Sequence, residues 1–164
     1  MASFTLTSRL AGLILAVCVI TTFPSHAFAQ GPNPLIGTWT LNIAKSNFSP
    51  GPPPKSQTRT YTQNGDGLKF VSAGVNADGS AGNNSWAAHF DGKDHPMVGN
   101  PNTDMVTITM VGASTMDFTS KKGGKVTSTS RLTVSKDGKT MTRWTGGTNN
   151  AGLPQSNFEV FDKQ

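Results

Sequence analysis

Pairs of residues that favour tight turns recur at short intervals along this chain. Asn or Asp beside Gly tolerates the positive φ of a hairpin turn, whereas most other residues do not. The gaps between these pairs are about 9 to 14 residues, which is room for one short strand each. The spacing predicts an antiparallel meander. The turn signals are Asn64-Gly65-Asp66-Gly67, Asp78-Gly79, Asp91-Gly92, Asn100-Pro101-Asn102, Gly112, Gly123-Gly124, Asp137-Gly138 and Asn149-Asn150-Ala151-Gly152.

Apolar and polar side chains alternate in several of the stretches between these turns. Trp39 and Leu41 share one face of the first stretch, while Thr38 and Thr40 face the opposite way. A period of two is typical of a half-buried strand. No ten-residue stretch after residue 29 shows the 3.6-residue period of a helix, so the chain is predicted to be all-β. The predicted strands are residues 35–43, 56–63, 67–75, 81–90, 94–99, 104–111, 115–121, 125–135, 139–146 and 155–163.

Strands joined by hairpins leave two exposed sheet edges unless the sheet closes on itself. Closure into an antiparallel up-and-down β-barrel of about 8–10 strands, a lipocalin-like architecture, removes both edges. A two-sheet sandwich stays open as the alternative. Its crossing connections are longer than hairpins, and only residues 44–55 offer that length.

The first 29 residues differ from the rest and predict a secretory signal peptide. Arg9 precedes the apolar run LAGLILAVCVITTF, and Ala27-Phe28-Ala29 supplies a cleavage site of small residues. A membrane-spanning helix needs about 20 apolar residues, and this run is shorter and ends before Pro24. The predicted domains are therefore a signal peptide, 1–29, and one exported domain, 30–164, located in the periplasm or outside the cell.

Cleavage removes Cys18, the only cysteine of the chain. The sequence LAVC is loosely similar to a lipoprotein box, but Val17 is large where a small residue is expected, which favours simple cleavage.

The remaining 135 residues suit one domain that buries about two thirds of its unfolded surface. Without a thiol this domain has neither a disulfide nor a cysteine metal ligand. Packing and strand pairing are expected to stabilise it.

The predicted mature domain is moderately basic, with 13 basic and 9 acidic residues and a formal net charge of +4 once Arg9 is removed. Its one basic cluster is Lys121, Lys122 and Lys125 beside a glycine pair. Such a cluster is typical of a solvated hairpin tip, and weak contact with anionic lipid or polysaccharide of the envelope is the functional alternative. Nucleic acid is not an expected partner of an exported chain without a recognisable binding module.

Five segments carry a family resemblance: IGTWTLNIAKSNFSPGPPPKSQTRTY, HFDGKDHPMVGNPNTDMVTI, KKGGKV, VSKDGKTMT and FEVFDKQ. They resemble a largely uncharacterised family of small exported bacterial proteins described as lipocalin-like, over nearly the whole mature chain. The resemblance implies a calycin-type antiparallel barrel. Two residues depart from the family pattern: His95 stands where an aromatic residue, usually Tyr, is expected, and Trp144 interrupts a strand that is usually β-branched and polar.

Gly37 and Trp39 match the Gly-x-Trp that opens the first strand in calycins. The resemblance implies that the indole closes one barrel end, with a basic residue laid across it. Physically, Gly37 has no side chain, so a neighbouring group can approach its backbone, and Trp39 points to the same face and fills the space. Arg143 and Lys163 are the candidates for the cation that stacks on the indole.

A catalytic or metal site would need titratable groups that converge, and few are available. His89, Asp91, Asp94 and His95 are close in sequence. Asp91 belongs to an Asp-Gly turn, where a carboxylate accepts hydrogen bonds from local backbone N–H groups. Turn chemistry is the favoured interpretation, with a metal site or a general base as alternatives. No nucleophile elbow, phosphate loop or zinc motif is present, so no enzyme, cofactor or metal is predicted.

Aromatic residues and methionines supply apolar side chains that can either pack a barrel or line a pocket inside it. Large apolar residues number 31 of 135 in the predicted mature domain. So few large apolar side chains leave room for a small ligand inside a barrel of this size. The alternative is that these side chains simply pack the interior. The predicted ligand-binding residues are Trp39, Phe48, Phe70, Trp86, Phe90, Met110, Phe118 and Met141.

The proline run from Pro50 to Pro54 satisfies the P-x-x-P pattern of a docking motif. The domains that bind such motifs are chiefly intracellular, whereas this chain is predicted to be exported. The run is therefore interpreted as a stiff connector between the first two strands, with Phe48 at the barrel mouth.

Two functions are compatible with these patterns. The first is a non-enzymatic exported barrel that binds a small apolar or amphipathic molecule. The second is an envelope or extracellular interaction protein whose barrel is solid and which acts through its loops and basic hairpin tips. An empty interior favours the first, and a filled interior favours the second.

The mature protein is predicted to begin at Gln30, because signal peptidase cuts after the small residues Ala27 and Ala29. Intact-mass spectrometry of protein recovered after secretory expression should give the mass of residues 30–164. An N-terminus at Met1 would contradict this prediction, and a lipid-modified N-terminus at Cys18 would favour the lipoprotein alternative.

Overall fold

A computed structural model describes residues 33–148 and 152–164, which are mostly β-strands. The predicted signal peptide, 1–29, and residues 149–151 of the last turn signal lie outside the described residues. In the two described ranges, no helix is long and apolar enough to cross a membrane. The strands are β1 (Gly37–Leu41), β2 (Asn47–Ser49), β3 (Ser56–Asn64), β4 (Gly67–Val75), β5 (Asn84–His89), β6 (His95–Val98), β7 (Met105–Gly112), β8 (Thr115–Lys122), β9 (Lys125–Val134), β10 (Thr140–Thr148) and β11 (Pro154–Lys163), with a 3₁₀ helix (Ile43–Lys45) between β1 and β2.

Ten of these strands form a closed barrel. β1 and β3 to β11 pair antiparallel in chain order, and β11 returns to pair with β1, from Trp39 opposite Lys163 to Leu41 opposite Phe161. Each of the ten therefore has a partner on both sides. This arrangement confirms the predicted all-β, antiparallel up-and-down barrel. The sandwich alternative is wrong, because all the strands belong to one continuous sheet.

The hairpins form where the turn residues predict them. β8 and β9 are joined by Gly123 and Gly124, whose φ angles are +55° and +77°. Both angles lie in the left-handed region, which only glycine adopts without strain. Lys122 and Lys125 face each other at the base of this two-residue turn, so the glycine pair sets the register of the first two pairs of β8 and β9, and a β-bulge beyond Lys121 shifts the register by one residue.

The first predicted strand, residues 35–43, is shorter in the structure because the chain leaves the sheet at Asn42. The Asn42 side-chain oxygen accepts a hydrogen bond from the Lys45 backbone N–H at 3.1 Å, which caps the 3₁₀ helix. The chain then returns as β2, which pairs with residues 156–158 of β11. β1 and β2 are thus two parts of one interrupted strand along β11, and the sequence prediction lacks this second part.

The barrel interior has a packed half. It lies toward the end that carries the β3–β4, β5–β6, β7–β8 and β9–β10 turns, which we call the hairpin end. Apolar side chains pack the interior of this half. Those with no exposed surface are Leu35, Trp39, Leu68, Ala88, Val106, Ile108, Met116, Met141 and Phe161.

The inward positions become polar toward the opposite end, which carries the proline connector, residues 50–55, and is here called the arm end. Small hydroxyl side chains replace large apolar ones on several strands, so they occupy less of the interior. Ser130 and Thr145 satisfy each other by a hydrogen bond of 2.9 Å. The buried polar residues of the arm half are Arg59, Ser72, Thr103, Ser120, Ser128, Ser130, Thr145 and Glu159.

Trp39 lies at the centre of the packed half. Its indole N–H donates to the Leu35 carbonyl at 2.8 Å, and Lys163 Nζ lies 4.9 Å from the indole centroid. Gly37 permits this approach: its φ is +132°, and a Cβ there would lie 2.8 Å from Lys163 Cε. Arg143 does not stack on the indole, because Lys163 is the register partner of Trp39 and Arg143 pairs with Glu159 instead.

Replacement of Trp39 by Ala is predicted to lower the free energy of unfolding by about 3–5 kcal/mol, because it removes a fully buried ring and leaves a void. Trp144→Ala is the matched control: that ring is 58% exposed and contacts only Phe158 among the aromatic rings of the described residues, so its loss should cost about 1 kcal/mol or less. Urea unfolding of both variants measures the difference. Equal losses would contradict the assignment of Trp39 to the packed half.

Candidate ligand-binding site

A cavity of about 420 Å³ occupies the arm half of the barrel and opens at the arm end. Its volume lies within the range of about 300–1,000 Å³ typical of small-molecule sites. Three groups of side chains line it: an aromatic wall, a cluster of charged residues and a collar of carboxamides. The interior is therefore not filled throughout, which contradicts the structural expectation of the solid-barrel alternative.

The aromatic wall consists of Tyr61, Phe70, Trp86 and Phe118. Tyr61, Phe70 and Trp86 are register neighbours on β3, β4 and β5, so their rings lie side by side. The centroids of Phe70 and Trp86 are 5.1 Å apart with planes only 18° apart, and Phe118 lies 5.7 Å from Trp86. The rings pack against one another, and the small exposed parts of Phe70, Trp86 and Phe118, 4–8% of each residue, are what a flat ring or a hydrocarbon body in the cavity can contact.

Three charged side chains, Arg59, Arg143 and Glu159, line the cavity beside the aromatic wall. Arg143 Nη1 donates to Glu159 Oε2 at 2.9 Å, and Arg59 Nη2 to Glu159 Oε1 at 3.5 Å. The three side chains are only 17%, 8% and 6% exposed, in the order Arg143, Arg59, Glu159. Two guanidinium groups therefore share one carboxylate in a largely dry environment, and the formal charge of the cluster is +1.

The surroundings of this cluster shift two pKa values. Burial lowers the pKa of Arg143, and the nearby Glu159 carboxylate opposes that shift. Burial raises the pKa of Tyr61, and the adjacent Arg59 and Arg143 oppose the shift. At neutral pH, Tyr61 is therefore a neutral hydroxyl beside Arg59.

The entrance combines amide side chains with the proline connector. Phe48, Pro52 and Pro54 form its apolar rim. Phe48 is half-buried and lies opposite Asn157 in the β2–β11 ladder, so the interrupted strand places it at the mouth. The carboxamides of the collar are Gln57, Asn76, Asn84, Asn100, Gln155 and Asn157.

The structure brings four of the eight predicted ligand-binding residues to this cavity: Phe48, Phe70, Trp86 and Phe118. Trp39 and Met141 lie in the packed half with no exposed surface. Phe90 and Met110 line a separate, wide depression of about 910 Å³ at the hairpin end. The alternation along a strand predicts which face a side chain occupies, but not its depth along the barrel axis. Depth separates the residues that line the cavity from those in the packed half or at the hairpin end.

His89 and His95 each pair with an aspartate outside the cavity. His95 Nε2 lies 2.9 Å from Asp91 Oδ1, and His89 Nδ1 contacts Asp66. The hydrogen bond with His95 holds the pKa of Asp91 below its usual value, and Asp91 also accepts from the Lys93 backbone N–H at 3.0 Å. In the part of the chain that the structure describes, no three His, Cys, Asp or Glu side chains are grouped to hold a metal.

The basic hairpin tip is partly neutralised. Lys121 Nζ donates to both carboxylate oxygens of Asp94, at 2.7 and 3.0 Å, and Thr107 Oγ1 donates to Asp94 at 2.7 Å. Lys122 and Lys125 are exposed. Asp94 therefore has a structural partner from a distant strand, in addition to its place in the loop that the sequence predicted.

The charged cluster is the part of the site that sequence reasoning did not find. Its signal is present, because each member shares the inward parity of a buried apolar neighbour two positions away: Arg59 with Tyr61, Arg143 with Met141 and Glu159 with Phe161. A charged side chain at an inward position of a half-buried strand is uncommon unless it is paired, so this parity marks a candidate site.

Comparisons with known proteins leave the family open. No protein-family model matches the chain, and no curated protein matches it. Among solved structures, the fold is similar to that of zebrafish ileal bile acid-binding protein complexed with cholic acid, with 12% sequence identity, a TM-score of 0.48, and coverage of 80% of this chain and 99% of the other. Because this similarity is low, the function is inferred from the residues that line the cavity.

The ionisation of Tyr61 is predicted to occur at higher pH in the folded protein than in the unfolded chain, because burial raises its pKa above 10.0. Tyr61 is the only tyrosine, so tyrosinate absorbance during an alkaline titration reports this residue alone. The contribution of Tyr61 to stability is complete below pH 10 and should fall above it by about 1.4 kcal/mol per pH unit, until the folded pKa is reached. Coincident titration curves with and without urea would show a solvated hydroxyl instead.

Proposed function

We propose that this chain is a non-enzymatic binding protein, exported after loss of its signal peptide, that holds a small amphipathic molecule in the arm-end cavity. The observation that carries this proposal is a cavity of about 420 Å³ with an aromatic wall on one side and a buried charged cluster beside it.

The lining favours an amphipathic molecule over a purely apolar one. Phe70, Trp86 and Phe118 offer an apolar contact surface, whereas Arg59 and Glu159 are buried polar groups. A hydrocarbon alone would take water away from these polar groups without replacing its hydrogen bonds, which costs free energy. A ligand with both characters satisfies both surfaces.

The position of the cavity supports binding rather than loop-mediated interaction. It opens where the proline connector and the collar meet solvent, and the packed half seals its base. A molecule can therefore enter from the arm end without disturbing the core. The basic tip, with Lys121 paired to Asp94, offers less free charge to a macromolecular partner than the sequence implies.

Obstruction of the entrance should weaken binding of a neutral environment-sensitive dye such as prodan. Ala77 lines the cavity at the arm end, in the loop between β4 and β5. Replacing it with Trp is predicted to weaken dye binding at least about tenfold, because the indole narrows the opening. Dye fluorescence titration measures the effect.

The matched control is Ala113→Trp, in the β7–β8 turn beside the hairpin-end depression. It adds the same side chain at the opposite end and should leave dye affinity unchanged. Native mass spectrometry of protein purified from its own host gives an independent reading, as a bound small molecule. An empty spectrum, together with no dye binding by the unmodified protein, would overturn the proposed function.

A further inference from the structure

We infer that the ligand of this cavity carries a single negative charge, a carboxylate in the simplest case, bound by Arg59 and Arg143 while a ring lies against the aromatic wall. This inference rests on the proposed function and specifies its ligand class. It follows from the charge, the donors and the arrangement of the cavity lining.

The charge of the cluster is the first reason. Arg59 and Arg143 are 8% and 17% exposed and face one carboxylate, Glu159. A buried charge without a counter-ion is unfavourable, and opposite charge nearby relieves it. One further anion balances the cluster. A ligand with two negative charges would overcompensate it and meet repulsion from Glu159.

The supply of hydrogen-bond donors is the second reason. Two guanidinium groups present ten N–H donors in planar forks that match a carboxylate. Glu159 accepts from both groups, Gln57 accepts from Arg59 Nε at 3.0 Å, and the neutral Tyr61 hydroxyl lies beside Arg59. Donors outnumber these acceptors, and the cavity that both arginines line is where a further acceptor fits.

Ser72 gives an independent indication next to the same cluster. Its hydroxyl is buried, with 1% of the residue exposed, and it has no hydrogen-bond partner among the described residues. In the sheet, Ser72 lies between Arg59 on β3 and Asn84 on β5, and both of these line the cavity. A buried hydroxyl without a partner is unfavourable. Ser72 is not part of the cavity lining, but it is the register partner of Arg59 and shares its inward face, so an acceptor held at Arg59 lies on the same face as this hydroxyl.

The arrangement of these groups orients the ligand. The charged cluster lies beside the aromatic wall, since Arg143 follows Met141 toward the arm end as Phe70 follows Leu68, and the carboxamide collar surrounds the entrance. The carboxylate therefore binds at the charged cluster, the ring lies against Phe70 and Trp86 beside it, and the distal end meets the collar. Six amides at that point favour a ring with a hydroxyl substituent over a bare alkyl chain, because an alkyl chain would leave the amides without partners.

Glu159 has a definite role in this arrangement. It competes with the ligand carboxylate for the same two guanidinium groups, so it sets an upper limit to the affinity and restricts binding to monoanions. Removal of its charge leaves two unpaired arginines. The Glu159→Gln variant should consequently bind an anionic ligand more tightly, even though the empty variant is less stable.

Isothermal titration calorimetry with three related compounds tests the inference. The probes are 4-hydroxycinnamate, its uncharged methyl ester and the amine tyramine, which have a common phenol ring and different head-group charge. The acid is expected to bind at least about tenfold more tightly than the ester, as hydrogen bonds to charged groups allow. Tyramine should bind more weakly than either.

Three variants locate the effect. Arg143→Met should reduce the affinity for the acid to that for the ester and leave the affinity for the ester unchanged. Glu159→Gln should raise the affinity for the acid about tenfold or more. Arg131→Met, on the outer face where Arg131 pairs with Asp117, is the control for net charge and should change neither affinity. Ligand-dependent shifts of the unfolding midpoint, measured for each variant, show that the protein is folded and provide a second reading.

The outcomes separate the two proposals. Equal affinity for acid and ester, or an unchanged affinity for the acid in both Arg143→Met and Glu159→Gln, would overturn the inference and leave the proposed function intact. Failure of acid, ester and the neutral dye to bind, together with an empty native mass spectrum, would overturn both.

Discussion

Pairing of β1 with β11 is the interaction on which the rest of the structure depends. Three register pairs close the sheet, and they bring β3 and β11, the strands flanking β1, to opposite sides of it. Arg59 and Glu159 are 100 residues apart in sequence and meet through this closure. In an open sheet both side chains would be hydrated and would have little reason to pair. Closure thus shields this ion pair from solvent and also forms the barrel wall around it.

The barrel separates stability from binding along its axis. The hairpin half is packed with side chains such as Trp39 and Phe161, which lose all contact with water, and it contributes most of the hydrophobic stabilisation. The arm half leaves space and buries charge, both of which lower stability. The described residues contain no cysteine, so no disulfide there offsets this loss. Hydrophobic packing in the hairpin half therefore offsets the stability that the arm half loses through its cavity and buried charges.

The strands and their turns could be predicted because both signals are local. Alternation and Asn-Gly or Asp-Gly pairs act over a few residues, so nearly every strand lies close to its predicted position. β2 was missed because Asn42 ends β1 through one side-chain cap, which produces no periodic pattern. The separation of Trp39 from Phe70 depends on depth in a closed ring, and the Arg59–Glu159 contact depends on which strands become neighbours. The depth of a residue and the contact between distant strands both depend on how the barrel closes, and the sequence of a single segment does not determine this.

The interrupted strand has a consequence for how the molecule avoids self-association. In the described part of the chain, β2 pairs only with β11, so its other edge offers backbone groups that a second chain could use to extend the sheet. That edge is three residues long and runs directly into Pro50, followed by Pro52, Pro53 and Pro54. Proline has no N–H to donate. The proline connector at the cavity mouth therefore also prevents further strand pairing along this edge. It protects the barrel from edge-to-edge aggregation at the one place where its wall has a gap.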